Sequence, residues 1–207
     1  MSSIVDVVGG NRIVPVVVLD DPAAAEPLAD ALVAGGLPIA EVTFRTDAAA
    51  AAIARMARHG GVTVGAGTVT TPAQVDAAVA AGATFVVSPG LSAAVVSRCR
   101  FHNVPALPGA TTATEIMAAL ELGVDVLKFF PAGTSGGARA VAALAAPFAQ
   151  VRFVPTGGID ASNVRDYLAV PSVLAVGGSW MVPRASIAAG DFATVTALTA
   201  EAVAAAA

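Results

Sequence analysis

Cysteine is almost missing from this chain: Cys99 is the single one in 207 residues, so no intrachain disulfide can form. Arg98 and Arg100 flank it and could lower a thiol's pKa, but no catalytic partner lies nearby in sequence. Cys99 therefore reads as a buried bystander. Histidine is equally scarce. His59 and His102 stand apart, leaving no zinc-type ligand spacing, and no metal is expected. Charged residues make up only 13% of the chain, with a net charge of −4 and no basic stripe, which argues against a nucleic-acid partner. A long unbroken apolar run is also absent. The longest uncharged stretch, Ala77 to Ser97, is interrupted by Gly82 and by Ser88-Pro89-Gly90, so it reads as helix, strand and turn and not as a membrane span. The N-terminus has no charged region followed by an apolar block and cleavage site. No membrane partner is expected, and the location is read as cytoplasmic.

What the chain does have is core material. Hydrophobic residues reach 56%, much of it alanine, enough for one packed domain over residues 1–207 with apolar surface left for subunit contacts. Short β-branched runs alternate with alanine-rich stretches from end to end. Strands are predicted at 13–19, 38–45, 62–67, 84–88, 104–108, 124–130, 151–156 and 172–178. The helices between them carry start signals. Asp21 precedes Pro22, Thr71 precedes Pro72, and Thr112 with Glu115 three residues on makes a capping box. The last helix is the alanine-rich tail near 191–206. Eight strand–helix units imply a closed parallel (β/α)8 TIM barrel of the α/β class, whose chemistry sits at the C-terminal ends of the strands. An open doubly wound sheet is disfavoured, because no GxGxxG follows the first strand.

One stretch conflicts with a purely structural core. In "VDVLKFFPAG", residues 124–133, Lys128 sits among Leu127, Phe129 and Phe130 and shares a strand face with Val126 and Phe130. An inward-facing amine is desolvated, and burial disfavours the ammonium form, the usual preparation of a Schiff-base lysine. The alternative is a lysine snorkelling past the phenylalanines to solvent. The second strand, "AEVTFRT", places Glu41, Thr43 and Arg45 on one face and Val42 and Phe44 on the other. A barrel-facing Glu-Thr-Arg row could be a structural ion pair. Functionally, Glu41 would move protons and Arg45 would offer a planar fork to a carboxylate. After the seventh and eighth strands stand "PTGGI" (155–159) and "VGGSW" (176–180), where many barrels bind phosphate with glycine N–H groups and the start of a short extra helix. Gly157, Gly158, Gly178 and Ser179 are candidates for that cradle, with tight turns as the alternative. Thr68 of "GAGT" could donate to a carboxylate or merely cap the next helix, and Pro89 of "SPG" could shape an apolar wall.

The set "EVTFRT", "GAGTV", "SPG", "PGATTATE", "VLKFFPA", "PTGGI" and "VGGSW", from about residue 41 to residue 180, resembles the class I aldolase family that cleaves 2-keto-3-deoxy-6-phosphogluconate (KDPG) and 4-hydroxy-2-oxoglutarate (KHG). The resemblance implies Lys128 as the Schiff-base lysine and Glu41 as general acid/base. It implies Arg45 and Thr68 on the pyruvate carboxylate, Pro89 and Phe130 on the pocket wall, and Thr156, Gly157, Gly158, Gly178 and Ser179 on the phosphate. It also implies a homotrimer, a small keto-acid substrate and no cofactor. No role is carried to the loop "GTSGGAR" at 133–139. The rival readings are a metal-free sugar-phosphate epimerase or isomerase using Glu41 as base, and a non-catalytic barrel serving as a sensor or assembly subunit.

Overall fold

The computed structural model describes residues 4–207. Eight strands alternate with helices: β1 (Ile13–Val17), β2 (Ile39–Thr43), β3 (Thr63–Gly67), β4 (Val86–Val87), β5 (Ala106–Leu107), β6 (Val126–Phe129), β7 (Arg152–Pro155) and β8 (Val176–Gly178). Every strand pairing is parallel. One sheet runs β5-β4-β3-β2-β1-β8 and a second holds β6 and β7. Isolated bridges join them: Gly109 to Lys128 on one side, Phe153 to Val173 and Thr156 to Gly177 on the other. The ring is therefore closed, as the eightfold alternation predicts.

The outer helices are α2 (Ala25–Ala34), α3 (Ala49–His59), α4 (Pro72–Ala80), α5 (Ala93–Phe101), α6 (Ala113–Glu121), α7 (Gly137–Ala145), α8 (Val164–Leu168) and α10 (Phe192–Ala206). In α3 the buried positions are Ala49, Ala52, Ile53 and Met56, the i, i+3, i+4, i+7 stripe of a helix with one face on a sheet. It stops at Gly60, whose φ of 75° is a left-handed conformation that glycine adopts freely. The predicted starts at Thr71 and Thr112 are full capping boxes. Thr71 Oγ1 accepts from the Gln74 N–H at 3.2 Å, and Glu115 Oε2 accepts from the Thr112 N–H at 2.9 Å. Two helices stand outside the eight units: α1 (Ile4–Val8) before β1, and α9 (Arg184–Ala188) after β8. The Asp21-Pro22 start also differs. It opens a 3-10 turn over Pro22–Ala24, and the α-helix follows at Ala25. Pro27 explains this, since it has no N–H to make the α-type bond to Ala23.

The core is continuous between the barrel and its helices, with Phe85, Phe129 and Phe153 its largest fully buried side chains. Each such ring contributes about 1.5–3 kcal/mol on burial. Phe129 and Phe153 meet edge to face, 6.5 Å between centroids. Phe85 needs the glycine on the neighbouring strand. A Cβ at Gly65 would lie 2.3 Å from its ring. Among the described residues, no helix is long and apolar enough to cross a membrane. None of their His, Cys, Asp and Glu side chains form a group of three or more able to hold a metal.

Candidate active site

Glu41 and Lys128 come from strands on different parts of the ring and meet inside it. Glu41 is paired in register with Val16 of β1 and Gly65 of β3, and Lys128 with Val154 of β7. Those registers aim both side chains inward, and both are buried, at 2% and 5% exposure. Lys128 Nζ donates to Glu41 Oε1 at 3.1 Å and lies 3.4 Å from Oε2. Gly67 makes room for the carboxylate: a Cβ there would stand 2.3 Å from Glu41 Oε1. Two residues further along β2, Thr43 is fully buried and ties β2 to β1 through its Oγ1, which donates to the Val17 carbonyl at 2.8 Å. The expectation of a desolvated lysine beside an acid is met in position. What the sequence left open was the intimacy of the pair, a direct ion pair spanning 87 residues of chain.

Above the pair opens a cavity of ≈ 450 Å³ lined by Val16, Arg45, Phe130, Thr156, Gly157, Gly158, Gly178 and Ser179, among others. The Phe130 ring links the two levels, since its centroid is 5.5 Å from Lys128 Nζ and its edge forms part of the wall. The Phe130–Pro131 peptide is cis. The glycine loops are held in place by backbone bonds from the next segment: Ala132 N–H donates to the Thr156 carbonyl at 2.8 Å and Gly133 N–H to the Gly157 carbonyl at 2.9 Å. Thus the 133–139 loop, to which sequence reasoning assigns no role, buttresses the "TGG" turn. Gly157 and Gly158 adopt φ of 95° and 73°, which explains glycine at both positions. A Cβ at Gly178 would lie 1.9 Å from the Trp180 ring, so that strand end also requires glycine.

A family model described as KDPG and KHG aldolase matches residues 4–198. The chain belongs to that family. A 2-dehydro-3-deoxy-phosphogluconate aldolase of Treponema pallidum is 56% identical over 188 residues, 90% of each chain. Among solved structures, KDPG aldolase from Legionella pneumophila, with pyruvate captured as a covalent carbinolamine, superposes with a TM-score of 0.92 at 38% identity, covering 96% of this chain and 97% of that one. The Zymomonas mobilis KDPG aldolase with 3-phosphoglycerate gives a TM-score of 0.90 at 46% identity, covering 97% and 95%.

Within this aldolase fold the predicted site residues divide by strand. Those at or just past the C-terminal ends of β6, β7, β8 and β2 reach the cavity: Phe130, Thr156, Gly157, Gly158, Gly178, Ser179 and Arg45. Thr68 follows β3 and Pro89 follows β4, and neither lines it. The ring order accounts for this, because the cavity occupies the arc from β6 through β8 and β1 to β2. Thr68 sits at φ 56°, left-handed for a threonine, and it is Thr71 that caps the following helix. Pro89 is exposed, with its carbonyl against Gly109, where a Cβ would approach to 2.1 Å. Arg45 lies just past the strand: β2 ends at Thr43, so Arg45 belongs to the turn and is exposed at the cavity wall, not buried in a barrel-facing row. Sequence reasoning also missed Val16, Val18, Ile159, Val182, Pro183 and Arg184, which complete the lining. The first four are ordinary apolar residues, with nothing in their local pattern to single them out. Arg184 opens α9 without a motif around it. Cys99 is fully buried, and burial pushes its thiol up to about 11, so its arginine neighbours do not activate it.

Proposed function

We propose that this chain is a class I aldolase that splits 2-keto-3-deoxy-6-phosphogluconate into pyruvate and glyceraldehyde 3-phosphate, with 4-hydroxy-2-oxoglutarate as a second substrate. The observation that carries the proposal is the buried pair, Lys128 Nζ 3.1 Å from Glu41 Oε1, beside a cavity into which Arg45, Thr156 and Ser179 bring polar groups. Glu41 takes a proton from the Lys128 ammonium, and the freed amine attacks the C2 carbonyl of the keto acid. The carbinolamine loses its hydroxyl as water, using the proton now on Glu41, and leaves a protonated imine. Glu41, again a carboxylate, removes the proton from the C4 hydroxyl. The C3–C4 electron pair moves into the imine, an aldehyde departs, and the enamine is left on Lys128. Protonation at C3 by Glu41 and hydrolysis release pyruvate and restore the pair. Glu41 is within reach of the nitrogen throughout, as a proton shuttle must be.

Arg45 is assigned to the substrate carboxylate, Phe130 to the apolar surroundings, and Thr156, Gly157, Gly158, Gly178 and Ser179 to the phosphate. Two glycine turns and a serine hydroxyl at the cavity wall support the phosphate assignment. Residues 1–207 are taken as one barrel domain, acting in the cytoplasm as a homotrimer. The exposed Phe101 and Met117 supply apolar surface for such contacts. The test compares pyruvate release from the phosphorylated and unphosphorylated keto acids. A kcat/KM at least tenfold higher with phosphate is expected, whereas equal values would reduce the cradle to a pair of turns. Release of pyruvate from neither substrate would remove the aldolase reading itself.

A further inference from the structure

Two arginines line the cavity, Arg45 and Arg184, and no carboxylate does. Arg45 follows β2, the strand of Glu41, while Arg184 stands at the start of α9, beyond the glycine turn of β8. Arg184 is gripped from one side. Its Nε donates to Asp20 Oδ2 at 2.7 Å and its Nη2 to Asp20 Oδ1 at 2.5 Å. Asp20 follows β1, so the pair links segments 164 residues apart. Arg184 lines both the main cavity and a smaller one of ≈ 180 Å³, which Asp20 borders as well.

The side chains of Arg184 and Asp20 are 62% and 50% exposed. An ion pair so wet contributes little to folding, so stability does not account for a two-point grip across the cavity edge. The geometry of the grip does offer a use. A guanidinium has more than one edge of paired N–H groups, and Asp20 occupies the edge formed by Nε and Nη2. Nη1 makes no hydrogen bond among the described residues, which leaves it and the second Nη2 hydrogen as a fork for another oxyanion. The other groups at this end, Gly157, Gly158, Gly178 and Ser179, carry no charge. A phosphate there would otherwise have hydrogen bonds and no counter-charge.

We infer that Arg184 is the specificity-determining cation for the phosphate end of the substrate, and that Asp20 is the positioning residue that keeps its guanidinium at the cavity wall. The inference rests on the phosphorylated-substrate reading given above. Lys128 and Arg45 handle the keto-acid end and Arg184 the other, so the cavity wall carries an arginine for each anionic end of a sugar acid that bears a carboxylate and a phosphate.

Arg184→Ala and Arg184→Lys are to be assayed by pyruvate release on the phosphorylated and unphosphorylated keto acids. For Arg184→Ala the KM for the phosphorylated acid should rise about tenfold with kcat little changed, and the preference for phosphate should fall by the same factor. Arg184→Lys, which keeps the charge without the fork, should recover part of it. Inorganic phosphate should inhibit the wild type more strongly than Arg184→Ala. Adding Asp20→Asn to Arg184→Ala should cause no further change, since Asp20 acts only through the guanidinium, and a further loss would overturn its positioning role. A wild type that prefers the phosphorylated acid, with that preference intact in Arg184→Ala, overturns the Arg184 assignment alone. A wild type with no preference overturns the phosphate reading and this inference together.

Discussion

Replacing Lys128 by methionine removes the nucleophile while keeping most of the side-chain volume, and two separate consequences follow. Chemically, no Schiff base can form, and pyruvate release should fall by on the order of 10⁴-fold or more. Thermodynamically, Glu41 is left at 2% exposure without its partner, which had stood 3.1 Å away. At an effective dielectric of about 20, two unit charges at that distance attract by about 5 kcal/mol. Removing one member of a buried pair typically costs about 3–5 kcal/mol. For a chain of this size such a loss lowers Tm by roughly 10 °C. Adding Glu41→Gln should recover much of that Tm, because the orphaned charge is gone, yet restore no activity. Thermal unfolding followed by circular dichroism gives the stability. Borohydride reduction in the presence of pyruvate, read by peptide mass spectrometry, gives the chemistry. Wild type should carry the reduced adduct on Lys128, and Glu41→Gln should form it more slowly. A Tm for Lys128→Met within about 2 °C of wild type would mean that the pair is not the desolvated ion pair argued here. An adduct on any other residue, or none, would refute Lys128 as the nucleophile.

The remaining expectations probe the parts around that pair. Gly67→Ala places a methyl group 2.3 Å from Glu41 Oε1, so the carboxylate must move, and kcat should drop about 100-fold, measured by steady-state pyruvate release. An unchanged kcat would show that Glu41 has slack that the packing denies it. The Cys99 thiol, buried and pushed up to about 11, should resist a disulfide reagent at pH 8 until the protein unfolds, and rapid labelling of the native protein would contradict the packing around α5. Glu115 is held below the usual carboxylate range by the Thr111 N–H first and then by the Thr112 hydroxyl and N–H. Its stabilising effect is present above about pH 4.3, where an unfolded glutamate titrates, and is lost as the pH falls through its lower folded value. Glu115→Ala should therefore lower Tm by about 2–4 °C at neutral pH and by almost nothing in strong acid, a contrast that differential scanning calorimetry can measure.

Much of this molecule was legible as a string of residues. The order of eight strands, the caps at Thr71 and Thr112, and the oddity of Lys128 in an apolar run all follow from local chemistry: side-chain period, the hydrogen bonds of a helix start, and the cost of burying an amine. The inward face of Glu41 and Thr43 was equally readable, because alternation along a strand is a local rule. It failed at Arg45, where the strand stops at Thr43 and alternation no longer governs direction. The ion pair, the cavity and its limits belong to the tertiary structure. Glu41 meets Lys128 across 87 residues, and Asp20 meets Arg184 across 164. Closure of the ring sets those distances, and it also leaves Thr68 and Pro89 off the arc where the cavity opens. Periodicity tells which way a side chain points from its own strand, whereas which strand it faces depends on how all eight pair around the barrel, a property no segment carries alone.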